Sequence, residues 1–146
     1  MLAYIFGEIF VLSNKLQILG DAFDKNITVK QWLFIVSATK FSEPPTLSEV
    51  ARFISYSRQN AKRLAAVLER RGFLTILKDR NDARALRISL TPKCTKYFKK
   101  REQEELKFID RLFTGFDTEL TDRFYKGLLK LEKNINLMGN KHEKEK

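Results

Sequence analysis

Residues 46–72 read TLSEVARFISYSRQNAKRLAAVLERRG, and the fold turns on how this stretch divides. Thr46, Leu47, Ser48 and Glu49 form a capping box, in which the threonine hydroxyl and the glutamate side chain satisfy amide hydrogens that a new helix leaves without partners. Leu47, Val50, Ala51 and Ile54 give this helix an apolar face only about two turns long. Ser55, Tyr56 and Ser57 then supply cap residues. A longer helix follows from about Arg58 to Arg71 and stops at Gly72, a residue that takes the left-handed backbone conformation without steric cost. Short helix, tight turn, longer helix is the outline of a helix-turn-helix.

On the longer helix Ala61, Leu64, Ala65 and Leu68 share one face, while Gln59, Arg63, Ala66 and Arg70 lie opposite, flanked by Asn60 and Lys62. Arginine can donate two hydrogen bonds to the major-groove edge of guanine, and Asn or Gln can bond adenine in the same way. Ser57, Arg58, Gln59, Asn60, Lys62 and Arg63, at the start of this helix, are therefore the candidate base-reading set. A basic helix face in isolation is more often simply solvated. Here a capped short helix precedes it and a basic hairpin follows, and the three features together favour DNA.

The hairpin lies just beyond Gly72. Residues 75–78 read as a strand, Leu86, Ile88 and Leu90 alternate with Arg87 and Ser89, and the polar run Asp79-Arg80-Asn81-Asp82-Ala83-Arg84 joins them. Thr91-Pro92 caps and opens a long helix to about Thr114. Asp117 caps a last helix with Leu120, Phe124, Leu128, Leu131 and Ile135 at heptad-like spacing. Upstream, Thr28-Val29-Lys30-Gln31 is a second capping box, opening a helix expected to turn Trp32, Leu33, Ile35 and Val36 inward, and Pro44-Pro45 breaks the chain. At the N-terminus, Leu2, Ile5, Phe6, Ile9, Phe10, Leu12, Leu16 and Leu19 make a stripe too broad for a helix with one solvated face, so a buried helix is expected.

The 146 residues, 43% of them hydrophobic, suit one domain with a single core. The 28 Lys+Arg against 18 Asp+Glu leave a charge of +10, which favours a polyanion: nucleic acid or an anionic membrane surface. Residues 1–12 lack a basic leader, include Glu8 and fall short of the ~20 residues that span a bilayer, so no membrane role is expected. The single cysteine, Cys94, leaves no internal disulfide and fits a reducing compartment, hence the cytoplasm. Inert packing is its expected role, because reactivity needs a lowered pKa and exposure. The lone His142 has no companion ligands, so no metal is expected. Glycine-rich phosphate loops and nucleophile-histidine patterns are missing, which points to a protein that is not an enzyme and carries no cofactor. Tyr4, Trp32, Phe34, Phe108, Phe113 and Tyr125 read as core residues.

Four blocks of sequence resemble the MarR-type winged-helix regulators: Ile27-Thr28 with Gln31, Leu47-Ser48-Glu49-Val50-Ala51, Leu68-Glu69 with Arg71-Gly72-Phe73-Leu74, and Asp82-Ala83-Arg84 leading to Leu90-Thr91. The resemblance implies a mainly α fold with a small β-hairpin wing. It divides the chain into a winged-helix lobe over residues 28–91, dimerisation helices over 1–24 and 92–138, and a charged tail over 139–146. It further implies a homodimer on a pseudo-palindromic double-stranded operator, acting as a repressor that a small anionic or phenolic effector relieves, with the effector-binding residues unknown. In the family the middle residue of the Asp-x-Arg wing motif is frequently basic and enters the minor groove. Ala83 stands there in this chain, so Arg80, with Asn81 beside it, is the expected substitute. Arg84 is expected either to pair with Asp82 or to reach a phosphate. The peroxide-sensing branch keeps its cysteine near the first helix, where this chain has none. The rival readings are a winged-helix protein-interaction module without specific DNA readout, and a peripheral membrane protein using the apolar N-terminus.

Overall fold

Thr28 and Thr46 each open a helix through a complete capping box, with the Gln31 and Glu49 amides donating to the threonine hydroxyls at 3.3 and 3.2 Å. The computed structural model describes residues 1–82 and 84–144, the side chains of 140–144 excepted. Among the described residues the order is α1 (Leu2–Phe23), α2 (Val29–Ala38), α3 (Leu47–Phe53), α4 (Arg58–Arg70), β1 (Leu74–Lys78), β2 (Leu86–Leu90), α5 (Pro92–Leu112) and α6 (Thr118–Lys144). The fold is mainly helical with one antiparallel hairpin, in which Leu74 pairs with Leu90 and Lys78 with Leu86. The chain falls into two compact units, Met1–Lys100 and Arg101–Lys146.

In the first unit α2, α3, α4 and the hairpin enclose one core of Ile27, Phe34, Ile35, Val50, Ala61, Ala65, Leu68, Leu74 and Ile88. Small residues at Ala61 and Ala65 let α4 lie close against α2 and α3, and each larger side chain fully buried here contributes roughly 1.5–3 kcal/mol. The inward face of α2 is rotated from the sequence expectation: Phe34, Ile35, Ser37 and Ala38 are buried, while Trp32, Leu33 and Val36 are only half-buried. The reason is that α2 packs on α3, α4 and β2 together, which selects the face carrying Phe34 and Ala38. Pro44-Pro45 does more than break the chain. The Pro45 carbonyl accepts the Ile88 amide at 2.9 Å, and Thr46 bridges Arg87, so the segment before α3 lines the outer edge of β2.

Helix α1 departs furthest from expectation. It is continuous over 22 residues, and none of them is buried in the single chain. By length and composition it is long and apolar enough to cross a bilayer, which corrects the argument from the shorter stretch of residues 1–12. Its C-terminal end is tied into the first unit. Asp21 Oδ1 accepts the Val29 amide at 2.6 Å, and Asp24 Oδ2 accepts the Tyr97 hydroxyl at 2.6 Å. Gly20 lies so near Val29 that a Cβ there would collide with Val29 Cγ2.

In the second unit Asp117 caps α6, accepting the Leu120 amide at 2.7 Å, and Gly115 takes a positive φ of 86° in the turn before it. Leu120, Phe124, Tyr125, Leu128, Leu131 and Ile135 all lie exposed along α6, and Phe113, in the turn before it, is exposed as well. Neither Phe113 and Tyr125 nor Tyr4 on α1 belong to the core of the single chain, whereas Phe34 does. Helix α6 continues to Lys144, through most of the run read as a charged tail, and α5 ends at Leu112 rather than near Thr114. Ala83 lies outside the described residues.

Candidate nucleic-acid interface

Helices α3 and α4 meet in a turn closed by hydrogen bonds at both ends. The Ser55 amide donates to Arg52 O at 3.2 Å and the Tyr56 amide to Ala51 O at 2.8 Å, while Ser55 sits at a φ of 55°. This is the left-handed stop usually given to glycine, and serine takes it here. Ser57 follows at once as the N-cap of α4, its hydroxyl accepting the Asn60 amide at 3.2 Å. The other end of α4 stops in the same manner: Gly72, at φ 73°, donates to Glu69 O, and the Phe73 amide donates to Leu68 O.

Between these stops α4 buries Ala61, Ala65 and Leu68, as its polarity dictates, and turns Arg58, Gln59, Lys62 and Arg63 to the surface. Ser57 is exposed and Asn60 is half-buried. Two of the candidate readers already touch: Arg63 Nη2 donates to Asn60 Oδ1 at 3.3 Å.

The wing is built around residues to which the sequence reading gave no role. Asp79, at the end of β1, is 9% exposed although it is charged. Its Oδ1 accepts the amides of Asn81 and Asp82 at 2.8 and 2.9 Å, and its Oδ2 takes the Nε–H of Arg87. The Arg87 guanidinium, followed by those two amides, holds the Asp79 carboxyl below its ordinary value of 3.8, and the same pair keeps Arg87 firmly protonated. Arg87 Nη1 also donates to Pro44 O at 2.7 Å, so one side chain joins the wing to the segment before α3. An aspartate followed by Asn81 and Asp82 carries a local signal for this turn. Arg87 carries none, because its carbonyl partner is 43 positions away in the chain.

Arg80, Asn81 and Arg84 project from the wing loop as exposed side chains. Arg84 forms no ion pair with Asp82 among the described residues; Asp82 Oδ1 instead accepts the Arg84 backbone amide at 2.9 Å, which leaves the guanidinium outward. The Glu49 carboxyl, in the first turn of α3, lies under its ordinary 4.5, first through the Thr46 backbone hydrogen bond. Cys94 is 1% exposed, and burial pushes its thiol up to about 11. No group of three or more His, Cys, Asp or Glu side chains suited to a metal ion occurs among the described residues.

A half-buried turn, a helix with an outward basic face and a hairpin pinned beside it define a winged helix-turn-helix lobe. Solved structures share this fold over most of the chain. A MarR protein from Peptoclostridium difficile superposes with a TM-score of 0.81 at 21% identity, over 90% of this chain and 86% of that one. The chain has the MarR winged-helix fold. FabT of Streptococcus pneumoniae, solved in complex with DNA, gives 0.71 at 17% identity over 94% of this chain and 99% of that one. PcaV of Streptomyces coelicolor, solved with its natural ligand, gives 0.75 at 13% identity over 86% and 89%. No protein-family profile and no curated protein matches the sequence. At such identities the MarR fold is shared as an arrangement of elements, and function is argued from this chain's own residues.

Proposed function

We propose that this chain is a sequence-specific double-stranded DNA-binding transcriptional regulator that works in the cytoplasm by binding rather than by catalysis. The observation that carries the reading is the exposed start of α4. There Arg58, Gln59, Lys62 and Arg63 stand outward on the second helix of a helix-turn-helix, on a chain of charge +10. These residues and Asn60 read base edges, Arg80, Asn81 and Arg84 on the wing lie along the flanking minor groove, and phosphate contacts set the register. FabT, which shares the fold, was solved with DNA.

The chain acts as a homodimer joined through α1, α5 and α6. Apolar side chains stand exposed along α1 in the first unit and along α6 in the second, more than a soluble protomer ordinarily leaves uncovered. Two recognition helices then enter successive major grooves about one duplex turn apart, on a pseudo-palindromic operator. A small anionic or phenolic effector relieves repression by favouring a dimer whose recognition helices no longer match the groove repeat. PcaV, of the same fold, was solved with a ligand.

Footprinting on a bound duplex tests the whole arrangement. Two protected major-groove segments one turn apart, from a species of two chains, is the expected result. Protection of a single segment by a monomer refutes the dimeric reader. Binding to anionic vesicles by the α1 helix of the intact protein would replace it with the membrane reading.

A further inference from the structure

One contact set, at the far end of α4, has no part in the DNA-reading role. We propose that Lys93, with Thr91, is a positioning residue for the recognition helix, holding its C-terminal end and so setting the angle at which its first turn meets DNA; the inference rests on the DNA-reading function proposed above. The closing turn of α4 spends its Leu68 and Glu69 carbonyls on the Phe73 and Gly72 amides, which leaves the carbonyls of Arg71 and Gly72 pointing onward. Both are taken up by the start of α5. Lys93 Nζ donates to Arg71 O at 2.6 Å, and Thr91 Oγ1 donates to Gly72 O at 2.6 Å. The Thr91 amide adds a bond to Phe73 O at 3.1 Å.

Lys93 makes no ion pair among the described residues, so its cation is directed at the negative end of α4, where a positive charge is favourable. Its ammonium also stands 5.3 Å from the centroid of the Phe73 ring, a buried side chain of the same core that α4 packs on. Helix α4 is thus clamped at one end by α5 and free to meet a ligand at the other. The two ends are ~20 Å apart at the rise of an α-helix, so a small tilt at the clamp displaces the reading turn. Lys93, on α5 and bonded beyond the C-terminal end of α4, lies too far from residues 57–63 to share a base pair with them.

The test compares the full chain with Lys93→Met, which keeps an unbranched apolar side chain and removes the cation, and Lys93→Arg, which keeps the cation. Hydrogen exchange at the Gly72 and Phe73 amides is read alongside affinity for a selected duplex and a random duplex across a salt series. In Lys93→Met the exchange should rise about two- to fivefold, the magnitude a charge at a helix end commands. Affinity for the selected duplex should fall by a similar factor, with random-duplex affinity and the salt slope unchanged, and Lys93→Arg should restore both. Unchanged exchange overturns the clamp. Equal loss on both duplexes, with a salt slope reduced by about one, makes Lys93 a phosphate contact instead. If the unmodified chain selects no duplex the DNA-reading function fails, and with it the positioning role, whereas the exchange result still decides whether Lys93 caps α4.

Discussion

Arg63 donates to Asn60 across one turn of α4 at 3.3 Å, so the two side chains whose chemistry best suits base edges hold each other in the unbound chain. The contact orders Arg63 in the free chain and occupies one of Asn60's acceptor sites. Their contributions to binding should therefore depend on each other.

Arg63→Ala should weaken binding by ~1–3 kcal/mol per contact and relax preference at one base pair in each half-site. In a double-mutant cycle with Asn60→Ala, measured by titration on the selected duplex, the two losses should fail to add by ~0.5 kcal/mol or more. Additive losses would mean that the contact has no part in recognition.

The wing gives a pH prediction. Asp79 and Glu49 both have folded-state pKa values below their ordinary 3.8 and 4.5, so between folded and ordinary values the unfolded chain binds more protons. Their stabilisation is fully present above the ordinary values and is lost as pH falls through the folded ones. Denaturation midpoints should drop on acidification below about pH 4.5, and Asp79→Asn should flatten that drop, since Asn cannot ionise. An unchanged acid profile in the variant would show that the Asp79–Arg87 pair does not contribute.

How far such features can be read from sequence depends on how local they are. Both capping boxes, the buried face of α4 and the Asp117 cap were legible, because each is a pattern within a few residues. The rotation of α2 was not, since three separate elements choose its face, and nor was Arg87, whose Pro44 partner lies far along the chain. The candidate site followed the same rule. The exposed start of α4 was found from periodicity, while the supports that hold the wing and the helix end, Asp79, Arg87 and Lys93, are made by tertiary contacts.

Ser55 illustrates a local feature that the sequence concealed, because serine there looks like a cap and takes a positive φ instead. Ser55→Val should destabilise the protein by roughly 1–2 kcal/mol, since a branched side chain fits the left-handed region poorly. Ser55→Gly should be neutral or mildly stabilising. Thermal denaturation of the two variants decides it, and equal stability would contradict the strained turn.

The corner between α1 and α2 is packed without slack. Gly20→Ala places a methyl against Val29 and should cost ~1–3 kcal/mol, with partial rescue when Val29→Ala is added. Chemical denaturation of the single and double variants reads both effects. A Gly20→Ala protein as stable as the parent would show that the helices separate freely there.

Cys94, buried and with its thiol raised to about 11, should resist alkylation at neutral pH in the folded protein and react promptly once unfolded. Mild peroxide should leave DNA binding unchanged. Rapid labelling of the folded chain would reopen a redox role.

The most direct measurement for the central claim is selection of bound sequences from a pool of random duplexes by the intact protein, followed by a salt titration of the winner. Recovery of a two-fold-symmetric site whose affinity falls steeply with salt is the predicted result. Failure to enrich any sequence, with only weak salt-sensitive binding left, would contradict the DNA-reading function and leave a winged-helix interaction module in its place.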